Sequence, residues 1–430
     1  MNMKKYTASE TYLARAEKVI PLGSQTFSKS RTQYPMGVSP FFISRAQGSH
    51  CWDLDGNEYI DFVSSLAAVT LGYNDADVTR AVSEQLQSGV IFSLPHPIEA
   101  EVAELICEMV PCAELVRFGK NGSDATAGAI RVARAYTDRD RVAVCGYHGW
   151  QDWYIGSTAR KRGVPKATQD LTHTFAYNDL ESLRNVLTAH PGEFAAVILE
   201  PMNVTDPLPG FLQGVKELAR AHGALLVFDE TITGFRYATG GAQQLFGVTP
   251  DLATFGKGLA NGYPVSAVAG RRDVMKLMEE IFFSFTFGGE ALSLAAAKAT
   301  LIKLKTQPVL ATIEARGRSI IEGTRRIVDE AGLGDIFAVS GHPTWSFLGI
   351  RDARGATAFE IKTLWMQELL QRGFLSVGTH NVSYAHTEAD VQALLAAYAE
   401  VLPMIGRTLD AGTLRQALRC EPLVPLFKVR

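Results

Sequence analysis

Between Ala100 and Gly270 short apolar runs alternate with amphipathic segments, and this alternation narrows the fold more than any other feature. "RVAVCGY" precedes the helical pattern "DLESLRNVLTAH". "FAAVILEPM" is followed by "FLQGVKELARAHG" and then by "ALLVFDE". The short runs are apolar almost throughout, as in strands covered on both faces. With the helical patterns "AEVAELICEMV" (Ala100 to Val110) and "DATAGAIRVARAYT" (Asp124 to Thr137), they predict an α/β domain with a mainly parallel sheet sandwiched by helices. Ligands of such sheets bind beyond the carboxyl ends of the strands. Glu200, Asp229 and Lys257 all fall at or just past the ends of apolar runs, which makes them the first candidates for chemistry.

The two chain ends read differently. "GSHCWDLDGNEYIDF" predicts a hairpin turning at "DLDGNE". After Pro308 come an amphipathic helix, then "SFLGIRD", "FLSVGTHNVSYA" and "TEADVQALLAAYAEVL", with Thr387 as the cap of the last helix. The expected organisation is a large domain over 66–308. A smaller α+β domain is built from both ends, 1–65 and 309–430.

Of the 430 residues 47 % are hydrophobic and 20 % charged, which is ordinary globular composition, and the formal net charge is −3. Such a charge offers no basic field for nucleic acid or an anionic membrane. No run approaches the ~20 apolar residues of a transmembrane helix. The N-terminus carries two lysines with no continuous apolar stretch behind them, unlike a signal peptide. Five cysteines lack metal-ligand or CxxC spacing and are expected as buried reduced thiols, with no metal and a cytoplasmic location.

Lys257 stands between Gly256 and Gly258, just after the apolar run Leu252 to Phe255. An amine in an apolar setting loses hydration of its charged form and becomes a nucleophile suited to a Schiff base, although a surface lysine in a Gly-rich loop has the same local sequence. Asp229 ends a buried run, where a carboxylate needs a partner: a protonated pyridine nitrogen, a helix N-terminus or an ion pair. Gly122 and Ser123 open a helix, where backbone N–H groups make either a phosphate site or a plain cap. Tyr147 and His148 in "GYHGW" offer rings for a flat cofactor or for core packing. Lysine, carboxylate, phosphate cup and stacking ring together describe pyridoxal 5'-phosphate.

The ordered motifs "WDLDGNEYIDFVSSLAAVTLGY", "NGSDATAGAIRVARAYTDRDRV", "YHGW", "ILEPM", "FDETITGFR", "FGKGLANGYP", "FTFGG" and "AHTEADV" span nearly the whole chain. Through them the sequence resembles the class III (subgroup II) aminotransferases of fold type I, closest to the glutamate-1-semialdehyde 2,1-aminomutase-like group. The resemblance implies Lys257 as the Schiff-base lysine and proton shuttle, and Asp229 on the pyridine nitrogen. It implies Gly122 and Ser123 at the phosphate and Tyr147 on the ring, with Glu200 and Asn203 near the cofactor's O3′ side. Thr286 would reach the phosphate of a neighbouring subunit, which implies a homodimer with shared active sites.

Departures from the aminomutase pattern fall on the substrate side. Lys29 stands where the aminomutase has an arginine for a carboxylate, and Ser65-Leu66 replaces Ser-Trp. "VGTHNVSYAHT" carries His380 and Asn381 but no glutamate, and Gly289-Glu290-Ala291 replaces Gly-Asn-Pro. These changes predict an intermolecular aminotransferase with an amino-acid donor, glutamate being expected, and a carbonyl acceptor. Gln25, Thr26, Lys29, His380 and Asn381 suit hydroxyl groups, as on a sugar-like acceptor, and Ser65 is a further substrate-side candidate. An intramolecular aminomutase and a non-catalytic relative are the alternatives. "GSTARKRGVPKATQDL" (Gly156 to Leu171) reads as a lid.

Overall fold

The computed structural model describes residues 3–424. They divide into two compact units, one of residues 67–69 and 76–310, the other of residues 3–66, 70–75 and 311–424. Residues 70–75, expected in the large domain, pack with the smaller unit.

The larger unit is built on a seven-stranded sheet. Its strands run side by side in the order Leu115–Gly119, Ser266–Gly270, Leu252–Phe255, Leu225–Asp229, Phe194–Leu199, Arg141–Cys145 and Thr172–Thr174. Only Ser266–Gly270 is antiparallel to its neighbours. The other pairings are parallel. Alternate residues of one strand serve opposite faces. Ala196 and Ile198 join a core with Ala125, Ala129 and Ala133 of the helix Gly122–Thr137. Val197 and Leu199 join another with Leu183, Leu187 and Val215 from the helices Leu180–Ala189 and Phe211–Ala221. Each fully buried Val, Leu or Ile stabilises by about 1.5–3 kcal/mol, so a polar residue at any of these points would be expensive. The small residues of Gly122–Thr137 let it lie close to its neighbours. A Cβ on Gly128 would come within 2.8 Å of Phe283.

In the smaller unit the expected hairpin pairs His50–Asp53 with Glu58–Asp61. Asp53 fixes its turn, accepting the Asn57 N–H at 2.8 Å and the Asp55 N–H at 3.0 Å. The short strand Phe374–Leu375 adds parallel to Glu58–Asp61, so the two chain ends share one sheet. A second sheet orders Phe337–His342, Trp345–Ile350 and Thr379–His380. Thr387 caps the helix Glu388–Asp410 in a capping box with Asp390. Among the described residues no helix is long and apolar enough to cross a membrane.

One local conformation has no counterpart in the sequence pattern. Ser64, Ser65, Leu66 and Ala67 take φ values of 44°, 50°, 60° and 65°, a left-handed turn without a glycine. Left-handed helical backbone costs roughly 1–2 kcal/mol per L-residue, so surrounding bonds must hold it. Asp61 Oδ1 accepts the N–H groups of Val63 (2.7 Å) and Ser64 (3.1 Å). The Ser64 hydroxyl donates to the Asn381 carbonyl at 2.7 Å, and Asn381 Nδ2 donates to the Val63 carbonyl at 2.6 Å.

Candidate active site

In the larger unit the strand Leu225–Asp229 delivers Asp229 to the carboxyl edge of the sheet, 5 % exposed. Its Oδ1 is saturated by the Thr231 N–H (3.1 Å), the Thr231 hydroxyl (2.6 Å) and the Thr254 hydroxyl (3.0 Å). Oδ2 faces His148 Nδ1 at 2.8 Å. Among the described residues that is its one partner, and a carboxylate oxygen has capacity for a second donor. Burial alone would raise the Asp229 pKa. Hydrogen bonds from His148 and Thr231 outweigh it and hold the carboxyl below its ordinary value, so the group is an anion.

Lys257 follows the adjacent strand Leu252–Phe255 and opens the 3-10 turn Lys257–Ala260. It is partly buried, with φ of 40°, a left-handed conformation uncommon for a residue that is not glycine. Thr231 lies between this turn and the helix Gly122–Thr137. A Cβ on Gly122 would come within 2.9 Å of Thr231, and one on Gly256 within 3.3 Å of it. The Asp124 carboxylate accepts the N–H groups of Lys120 (3.0 Å) and Asn121 (2.7 Å), fixing the approach to the helix start. A Cβ on Gly149 would fall 2.3 Å from Ser123 Oγ, so only glycine allows this close passage of the "YHGW" loop.

The two rings of that loop divide their work. Tyr147 is 37 % exposed and meets Tyr154 edge-on at 5.7 Å between centroids. His148 is fully enclosed, with Nε2 at 3.1 Å from the Cys145 carbonyl and Nδ1 on Asp229, so it supports the carboxylate from behind rather than offering a face. Glu200 Oε2 accepts the Tyr147 N–H and Asn203 Nδ2, both at 2.9 Å. Gly146 makes this approach possible, because its Cβ would lie 2.6 Å from Glu200 Oε2. A cavity of about 500 Å³ opens beside this corner, lined by Cys145, Tyr154, Tyr177, Glu200 and Asn203 together with Ser157 and Thr158 at the start of the expected lid. Thr286 is exposed between Phe285 and Phe287. Glu290, where the aminomutase pattern has asparagine, caps the next helix through Leu292 N–H at 2.6 Å and pairs with Lys120 at 2.9 Å.

The substrate-side candidates lie in the smaller unit and separate into two groups. Gln25, Lys29 and Ser65 line one cavity of about 490 Å³. His380 and Asn381 do not line it. His380 is fully buried, its Nδ1 on Ser346 Oγ (3.0 Å) and Nε2 on Tyr398 (2.8 Å), and burial pushes its pKa down to about 4. This corrects its expected role in hydroxyl recognition: both nitrogens are used inside the fold. Asn381 is buried too and holds the left-handed turn. The sequence reading missed Thr231 and Thr254. A threonine two residues past Asp229 is visible in "FDETITGF", whereas Thr254 meets Asp229 only through the register of paired strands.

The larger unit's residues fit pyridoxal 5'-phosphate: an anionic carboxylate with an oxygen to spare, a lysine on a strained turn, and a helix start where glycines keep side chains out. Comparison with known proteins agrees. The family model "Aminotransferase class-III" matches residues 33–341. The 3-aminobutyryl-CoA aminotransferase of Cloacimonas acidaminovorans is 34 % identical over 93 % of this chain and 99 % of its own length. The glutamate-1-semialdehyde 2,1-aminomutase of Roseiflexus castenholzii is 36 % identical over 95 % of this chain and 100 % of its own. The solved structure of the FumI protein of Sphingopyxis sp. MTA144 superposes with a TM-score of 0.87 at 30 % identity, covering 94 % of this chain and 98 % of that one. The chain therefore belongs to the class-III aminotransferases, a family of fold type I enzymes that use pyridoxal 5'-phosphate.

Proposed function

We propose that the protein is an intermolecular aminotransferase that takes an amino group from an amino-acid donor, glutamate in the simplest case, and gives it to a carbonyl acceptor. The bound cofactor supplies an aldehyde that condenses with amines and a ring that accepts the electron pair left when the Cα proton is removed. Lys257 holds the cofactor between turnovers and, once released, carries the proton from Cα. Asp229, kept anionic by His148 and Thr231, holds the proton on the ring nitrogen. Gly122 and Ser123 bind the phosphate through N–H groups at the helix start, and Tyr147 covers the ring. Glu200 fixes Asn203, and the two would lie near the cofactor's O3′ side.

The observation that carries intermolecular transfer is the state of the cations. Arg31, two residues along the chain from Lys29, is paired with Glu17 at 2.5 Å and does not line the smaller unit's cavity, whose lining cation is Lys29. Lysine is a point charge where guanidinium grips a carboxylate with two prongs, a difference of about 1.5–3 kcal/mol. Glutamate 1-semialdehyde is then a poor substrate. The second reading, intramolecular transfer, is favoured by 36 % identity to an aminomutase. Kinetics with glutamate 1-semialdehyde and no external donor separate them: kcat/KM of ~10⁴ M⁻¹s⁻¹ or more, an ordinary enzyme value, would establish the aminomutase.

The functional form is proposed to be a homodimer, with Thr286 serving the partner's phosphate. An exposed apolar patch supports this. Phe285 (38 %) and Phe287 (57 %) flank the threonine, Phe282 (78 %) lies four residues before it, and Ala291 N–H donates to the Val90 carbonyl at 2.8 Å, bringing Ile91, Phe92 and Leu94 alongside. A cytoplasmic setting is part of this proposal.

A further inference from the structure

Asp229 ends its strand with a side chain whose last torsion is intrinsically loose. Rotation about the bond to a carboxylate is broad and close to two-fold, so neighbours have to fix the plane of the group. Two threonines do this from different parts of the chain. Thr231, two residues on, donates its N–H (3.1 Å) and its hydroxyl (2.6 Å) to Oδ1. Thr254 sits beside Asp229 in the paired strand, and its hydroxyl donates to the same oxygen at 3.0 Å. The Thr231 hydroxyl is aimed by the packing of its own methyl group. A Cβ on Gly122 would come within 2.9 Å of Thr231 Cγ2, and one on Gly256 within 3.3 Å of it. The two glycines thus leave the methyl a seat, and a seated methyl fixes the rotamer of a β-branched side chain. Oδ1 carries three donors, while Oδ2 carries His148 Nδ1 alone among the described residues.

We propose that Thr231 and Thr254 are positioning residues for the cofactor's ring nitrogen: their hydroxyls lock Oδ1, so that Oδ2 is the oxygen Asp229 presents to the ring N–H. The inference rests on Asp229 as the partner of that nitrogen and assigns the groups that set its plane. With its lone pairs filled, Oδ1 has no room for the ring proton, and the carboxylate cannot turn without breaking all three bonds. Oδ2 keeps capacity for one more donor beside His148. Burial alone would make the carboxyl a stronger base, and the bonds from His148 and Thr231 oppose it, so Thr231 serves orientation and charge together. Groups that orient a ligating side chain from behind typically cost roughly 10–100-fold in metal affinity when removed. A single ring N–H is a weaker partner than a metal, so the effect here is smaller.

The test reads affinity rather than turnover. The full chain, freed of cofactor, is titrated with pyridoxamine 5'-phosphate, which cannot form an imine with Lys257. A second titration uses its 1-deaza analogue, in which C–H replaces the ring nitrogen. The ratio of the two dissociation constants isolates the contact at that nitrogen. The expected wild-type preference for the nitrogen ring is about tenfold or more, cut about threefold or more by Thr231→Val and by Thr254→Val. Thr231→Ser, which keeps the hydroxyl without the methyl, should restore part of it. Valine keeps the shape of threonine, and an unchanged affinity for the deaza analogue shows that the site is intact. A preference left whole by either valine variant would strike that threonine, and equal weakening of both ligands would reduce its role to packing. Asp229→Asn separates this from the underlying reading. A preference that survives Asp229→Asn removes Asp229 from the ring nitrogen. One that Asp229→Asn abolishes and both valine variants leave whole removes the threonines alone.

Discussion

His148 Nδ1 stands 2.8 Å from Asp229 Oδ2, and the ring's other nitrogen is held by the Cys145 carbonyl at 3.1 Å. The imidazole is thereby fixed edge-on to the carboxylate, in a shell closed to water. Removing it would leave a buried anion short of a donor. In His148→Phe the Asp229 pKa should rise, because burial is then less well opposed. A lost hydrogen bond to a charged group amounts to about 1.5–3 kcal/mol, so the acid limb of kcat/KM should move up by roughly one pH unit or more. A pH profile with an unmoved acid limb would show that His148 does not tune Asp229.

Asp229→Asn should keep the fold and lower kcat by orders of magnitude, since an amide cannot hold a ring-nitrogen proton electrostatically. Steady-state kinetics beside a circular-dichroism spectrum measures both. Near-normal turnover would take Asp229 out of this role. The stability contribution of Asp229 has a defined sign. Its folded pKa lies below 3.8, so the contribution is complete at neutral pH and is lost only as pH falls through that depressed value.

Two buried histidines give stability a steeper pH dependence nearer neutrality. Burial pushes both His380 and His386 from 6.5 down to about 4. The unfolded chain therefore binds protons between those values that the folded chain refuses, and stability falls as pH drops from 6.5 towards 4. Each ring accounts for about 3 kcal/mol over that interval. Tm measured from pH 7 to pH 4 should fall steadily, and His380→Gln should flatten the slope. A Tm that rises on acidification would contradict the burial of these rings.

The exposed patch around Thr286 predicts a dimer that a single charge can split. Phe287→Glu should shift light scattering from dimer to monomer and remove most activity, because the threonine proposed to serve the partner would be lost with the interface. A fully active monomer would refute shared sites.

Much of this architecture is legible in the sequence because its signals are local. The strand runs ending at Leu199, Asp229 and Phe255 are apolar and short, the hairpin turns on Asp53, and Thr387 with Asp390 spells a capping box. What escapes depends on register or on burial reached from afar. Thr254 meets Asp229 across paired strands. His380 looks available in "GTHN" until the strand Thr379–His380 pairs with Trp345–Ile350 and turns its ring inward. The left-handed turn is hidden for a simpler reason. "SSLA" contains no glycine, and the bonds that hold it come from Asp61 and from Asn381, more than 300 residues away.

The central claim is that Lys257 carries the cofactor, and chemical capture tests it most directly. Borohydride reduction of the holoenzyme fixes the cofactor to whichever lysine bears it, and peptide mass mapping then locates the label. The account predicts a pyridoxyl phosphate adduct on Lys257 and none in Lys257→Ala, which should also lose turnover. A label on another lysine, with activity kept by Lys257→Ala, would contradict it.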